Sequence, residues 1–257
     1  MEVFWIWTFI VIGVSAVVIL SRLASGIVAV TSGIKINKDK KSTFMGVTLI
    51  LIGIEAILSI FGSVPVTILA VRLMRLSEKG VVTYNYLSTA VGLAAFLVGL
   101  SAIVFFSLYF IKNYQVGKIH LIVALIARVL TLVVSRFSNM LLASFSLKRS
   151  PLALYVTVFL VSVILSVVSS TAMIMLAGKT RTKEPNRRAL FIFPLIFMLF
   201  NEFEKIITMV YTVRNRSGGS GWEELILIVI PVSGAVLITA GSVYIVKTNK
   251  KITDEVQ

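Results

Sequence analysis

Seven apolar runs divide the chain, at residues 3–30, 43–71, 84–111, 119–146, 151–177, 189–213 and 223–246. A bilayer core about 30 Å thick is crossed by about 20 apolar helical residues. Each run meets that length, and the surplus in several implies tilt. Lipid offers the backbone no hydrogen bonds, so such runs cross as helices. The breaks between them, such as IKINKDKKS, KNYQVGK and LKRSP, are short and basic or turn-rich. They leave no room for a soluble domain. The chain therefore reads as an all-α polytopic membrane protein, with seven transmembrane helices forming a single bundle over residues 1–257. The start, MEVFWIWTF, has an acid and no basic n-region, and it is expected to be a retained first helix rather than a signal peptide.

Composition supports this class. The chain is 58% hydrophobic and only 14% charged, with a net charge of +14. Ordinary soluble domains carry about 25% charged residues. In a membrane protein the excess of Lys and Arg sets topology and meets anionic lipid headgroups, so no nucleic-acid partner is implied. With the N-terminus outside, the inner breaks and the tail hold four, two, five and three bases, and the outer breaks hold three, two and two. This bias predicts an outer N-terminus and a cytoplasmic C-terminus in the cell membrane. Trp5, Trp7 and Trp222 then lie at the outer interface, on the same side as the triplet Asn215-Arg216-Ser217.

The chain also resembles itself. ILSIFGSVPVTILA (57–70) aligns without gaps with ILSVVSSTAMIMLA (164–177), and SRLASGIVA (21–29) aligns with SRFSNMLLA (135–143). The offsets are 107 and 114 residues. Repeats over 1–115 and 119–216, with the seventh helix added, follow from this pairing. Three helices per copy is odd, so the second copy would cross in the opposite sense, as in transporters built from inverted repeats.

Some charges fall inside the apolar runs: Arg22, Glu55, Arg128, Arg136, Glu202, Glu204 and Lys205. Each costs at least about 2.5–3.5 kcal/mol at a helix centre on insertion scales, so they are expected to face inward and pair. Arg128, Thr131, Ser135 and Asn139 form one helical stripe, with Arg136 beside it; Asn201, Glu204, Lys205, Thr208 and Thr212 form another. Glu55 lies deepest, and Arg128 or Arg136 is its expected partner. Arg22 and Arg136 lie nearer the run ends, from where their long side chains can reach the headgroups. The fifth run offers Ser162, Ser166 and Ser170, a small-residue face suited to close packing.

The chemistry that is missing narrows the function. There is no cysteine, so disulfides and thiolate metal sites are excluded. One histidine, His120, cannot build a three-histidine zinc site or a bis-histidine haem. The seventh run has no lysine for a retinal Schiff base, and no G-x-S-x-G elbow or phosphate-binding glycine loop occurs. No motif calls for a cofactor, and no catalytic motif is found. The helix count, three plus three plus one, resembles the trimeric intracellular cation channels. The glycine triplets that break two helices in those channels have no match here, where Gly62, Pro65 and Ser169-Ser170 stand instead. No residue role follows from that likeness.

The sequence thus predicts a transporter or channel for a small polar or anionic solute. Its interior site is expected at Arg22, Glu55, Arg128, Arg136, Asn139, Asn201, Glu204 and Lys205. Pro65, Pro194 and Pro231 offer helix breaks that would free backbone groups toward a cavity. The alternative is a seven-helix sensor whose cytoplasmic partner binds residues 179–188, or an accessory subunit of a membrane complex.

Overall fold

The computed structural model describes residues 2–38, 43–62, 78–115, 117–144, 152–178 and 222–256, with positions 66 and 196 isolated. Among the described residues every element of secondary structure is helical. The helices are α1 (Glu2–Asn37), α2 (Thr43–Leu58), α3 (Glu78–Tyr114), α4 (Lys118–Ser144), α5 (Leu152–Gly178) and α6 (Trp222–Val256), and a 3-10 turn, Ser59–Gly62, continues α2. Among the described residues, four helices contain stretches long and apolar enough to cross a membrane: Ile12–Asn37, Thr43–Phe61, Ala90–Asn113 and Val229–Lys247. Several helices outrun their apolar runs. α1 continues past residue 30 to Asn37, and α6 continues past residue 246 to Val256. α6 also passes through Pro231 without ending. Pro65 and Pro194, and the sixth apolar run apart from Ile196, lie outside the described residues.

The chain forms two compact units, Met1–Phe105 with Gly221–Gln257, and Phe106–Ser220. In the first, α1 packs against both α2 and α6. The inward face of α1 is Ser15, Val18, Arg22, Ser25, Ala29, Ser32 and Ile36, all buried and alternately three and four residues apart. That spacing is a heptad seam, here built mainly from small or hydroxyl side chains. The opposite face exposes Leu20, Ile27 and Ile34. Small seams let helices approach closely where lipid supplies no hydrophobic drive to pack them.

The closest approach is between α1 and α2. A methyl built on Gly26 would stand 2.8 Å from the Gly53 carbonyl oxygen, and one on Gly53 would stand 2.6 Å from that of Gly26. Gly33 and Gly46 repeat the arrangement at 2.5 and 2.7 Å. Gly26 faces Gly53 while Gly33 faces Gly46, so the helices run antiparallel. The two glycine pairs are seven residues apart on each helix. Only glycine permits this separation, which brings backbone carbonyls against Cα–H groups.

In the second unit, α4 packs against α5. The connection at residues 145–151 is too short to return along a 27-residue helix, so this hairpin is also antiparallel. Ser169 donates its hydroxyl to the Ala124 carbonyl at 3.5 Å across the seam. Ser166 and Ser169 are buried and Ser170 is half-buried. The buried serine pair is thus Ser166–Ser169 rather than Ser166–Ser170, and Ser162 lies outside the described side chains. The α3–α4 turn is tight. Gln115 adopts φ 55° and Gly117 φ 110°, with the Gln115 N–H donating to the Ile111 carbonyl at 3.0 Å. A left-handed residue ending a helix in this way is a common cap, though usually a glycine.

Candidate functional site

Arg22 is the best-defined charged group inside the first unit. It is 4% exposed, in the middle of the α1 seam. The sequence suggested that it could reach outward to headgroups; instead its Nη1 points at the Ser59 hydroxyl on α2, at a long 3.4 Å. Ser59 in turn donates to the Ala56 carbonyl at 2.7 Å. A hydroxyl has one proton to give and two lone pairs to accept with, so the chain Arg22 to Ser59 to Ala56 fixes its direction. The arrangement falls where α2 tightens into its 3-10 turn. There the Ser59 hydroxyl bonds back onto the carbonyl of its own helix three residues earlier.

Neighbouring hydroxyls are turned back onto their own helices. Ser25 donates to the Arg22 carbonyl at 3.0 Å, Ser21 to that of Val18 at 3.0 Å, and Thr48 to that of Phe44 at 2.8 Å. This disposes of polar groups that hydrocarbon would penalise.

Glu55 lies one helical turn before Ser59, half-buried on α2. Its carboxylate lies against Gly99 of α3. A methyl built on Gly99 would stand 2.8 Å from Oε1, 3.0 Å from Cδ and 3.1 Å from Oε2. The space occupied by the carboxylate is therefore the space that a side chain at residue 99 would need. Phe44 and Phe105, with ring centroids 6.1 Å apart, make a second α2–α3 contact.

Of the other expected site residues, Arg128, 5% exposed, lies in the second unit on α4, on the face that carries Ala124 and Ala127. The backbones of Arg136 and Asn139 continue α4, but their side chains lie outside the described residues, as do Asn201, Glu204 and Lys205 entirely. The structure thus sets Arg22 of α1 against Ser59 and, one turn earlier along α2, Glu55 against Gly99 of α3. His120 is half-buried in the first turn of α4. Among the described residues no three His, Asp or Glu side chains gather as a metal-ligand set.

Two features escaped the sequence reading: the glycine pairs and Gly99. Their signal is the seven-residue spacing Gly26–Gly33, Gly46–Gly53 and Gly92–Gly99, visible only when glycines are read as contact points rather than as breaks.

Among the described residues the chain is all-helical, with four apolar helices long enough to cross a membrane, compatible with a helical membrane protein, and with Arg22 and Arg128 buried. No family model, no curated protein and no solved structure matches it.

Proposed function

We propose that the protein is a multi-pass transporter or channel of the cell membrane, conducting a small polar or anionic solute past an interior charged site. In this reading seven helices cross the bilayer, with the N-terminus outside and the C-terminus cytoplasmic, and the two halves are inverted repeats. The site is drawn from Arg22, Glu55, Arg128, Arg136, Asn139, Asn201, Glu204 and Lys205.

One observation carries the proposal. Arg22 lies buried on the inward seam of a helix whose other face is apolar, and its Nη1 meets the Ser59 hydroxyl of the turn that continues the next helix. A guanidinium held inside an apolar bundle costs several kcal/mol and is a functional site by default. Glu55, one turn before Ser59 on α2, adds a carboxylate that would let proton movement accompany the solute.

The test is flux in proteoliposomes containing purified protein. Proton or small-anion movement should occur with wild type and fall at least about tenfold, or about 1.4 kcal/mol of barrier, in Arg22→Gln and Glu55→Gln. Gly13→Ala, on the exposed face of α1, should leave flux intact. Wild-type flux no greater than that of empty vesicles, across a panel of anions and protons, would count against transport.

A further inference from the structure

We infer that the hairpins α1–α2 and α4–α5 are two copies of one unit at a single offset of 106 residues, and that Arg128 is the counterpart of Arg22. The offsets of 107 and 114 suggested by local sequence identity paired Arg22 with Arg136 instead.

Burial decides the register. At 106, the buried Val18 and Arg22 fall on the buried Ala124 and Arg128. The exposed Ala16, Val17, Leu20, Ala24 and Ile27 fall on the exposed Ile122, Val123, Ile126, Leu130 and Val133. A shift to 114 places the buried Ser15 on the exposed Val129 and the exposed Gly13 on the buried Ala127. The second helices agree. At 106 the exposed Ile54 and Phe61 fall on the exposed Leu160 and Val167, and the buried Ile60 on the buried Ser166. At 107 Ile60 would fall on the exposed Val167.

The contacts between helices supply an independent check. Arg22 meets Ser59, and their counterparts at 106 are Arg128 and Leu165. In an antiparallel pair, four residues back on one helix is level with four residues forward on the other. Stepping from Arg128 and Leu165 in this way reaches Ala124 and Ser169, the pair joined by the observed hydrogen bond. One offset thus reproduces both the facing and the register of the two hairpins.

The copies differ in two chemical respects. The glycines of the first seam, Gly26, Gly33, Gly46 and Gly53, are matched by Leu132, Asn139, Leu152 and Phe159. The carboxylate is also lost, because Val161 stands where Glu55 would be and no Asp or Glu occurs from residue 79 to 183. Each hairpin delivers one buried guanidinium, Arg22 or Arg128, while only the first carries an acid, Glu55, one turn before the residue facing it. On the transport reading, Glu55 is then the group that makes the halves unequal.

The experiment restores the missing acid. Val161→Glu is melted in detergent alone, with Arg128→Gln, and with Arg136→Gln. The acid should lower the melting temperature more in the Arg128→Gln background than in wild type, and Arg136→Gln should not change its effect. An equal effect in all three, or dependence on Arg136, overturns the inference. Should Val161→Glu fail to fold, cysteine pairs decide, with no native cysteine to interfere. Arg128→Cys with Leu165→Cys should cross-link as Arg22→Cys with Ser59→Cys does. Cross-linking of Arg136→Cys with Ser166→Cys instead overturns it. Neither readout needs solute flux, so failure of the transport proposal would not imitate failure here.

Discussion

Replacing Gly33 with alanine probes the α1–α2 seam at its tightest point. The new methyl would stand 2.5 Å from the Gly46 carbonyl oxygen and 2.9 Å from the Ile50 nitrogen. Ordinary contact begins near 3.4 Å, so the helices must part locally by the difference, about 0.9 Å. Parting of that size forfeits roughly a quarter to a half of the dispersion energy of each atom pair it separates. Overpacking of this kind costs about 1–3 kcal/mol. Alanine returns about 1 kcal/mol of helix propensity over glycine. Gly33→Ala should therefore destabilise by about 0–2 kcal/mol net. The control is Gly13→Ala on the same helix, where among the described residues nothing lies within 4 Å of the new methyl. It should gain up to about 1 kcal/mol. Denaturant unfolding in mixed micelles would report the difference between the two, which should be about 1–3 kcal/mol. Adding Gly46→Ala to Gly33→Ala should cost less than the two single changes together, because the first methyl has already opened the same contact. If Gly33→Ala and Gly13→Ala shift stability equally, the close antiparallel seam is wrong.

Gly99→Ala should displace the Glu55 carboxylate and destabilise by about 1–3 kcal/mol. Adding Glu55→Asp, which withdraws the carboxylate by one methylene, should recover part of that loss in the same unfolding assay. At the α3–α4 turn, Gln115→Gly should stabilise by about 1 kcal/mol by relieving a left-handed non-glycine. Gly117→Ala should do the opposite, since its φ is 110° and the added methyl would run into the Leu176 side chain. Ser242 on α6 is fully buried, and its hydroxyl has no hydrogen-bond partner among the described residues. Ser242→Ala should be neutral or stabilising by up to about 1–2 kcal/mol, measured by thermal unfolding in detergent.

The sequence announces the helices because their signal is one-dimensional, a run of apolar residues long enough to span lipid. It announces their inward faces less well. Arg22 stood near the end of an apolar run that closes at residue 30, which suggested an outward reach. α1 instead continues as helix to Asn37, leaving Arg22 in the middle of a heptad seam. Glu55 was legible as a charge, but its approach to Gly99 of α3 was not. That approach, like the meeting of Arg22 with Ser59, was hidden because facing between packed helices depends on register, which residue type does not encode. On the inferred single offset of 106, the repeat read from local identity is out of register. Identity among Ile, Leu, Ser and Val drew Arg136 into the alignment, whereas the alternation of buried and exposed positions selects Arg128. The glycine pairs went unread for a related reason, since each glycine acquires its meaning from a residue on the opposing helix.

The most direct test of the central claim, that ionic groups are turned inward on helices that meet lipid with their other face, is a spin-label scan along α1 in nanodiscs. Single cysteines at residues 12–36 would carry the label, with collision rates measured against dissolved oxygen and a water-soluble nickel chelate. Labels at Leu20, Ile27 and Ile34 should collide freely with oxygen. Labels at Val18, Arg22, Ser25 and Ala29 should be shielded from it, with any access to the nickel chelate confined to Arg22 and its neighbours on the seam. A label at Arg22 as open to oxygen as one at Leu20 would place the arginine in lipid and contradict the account.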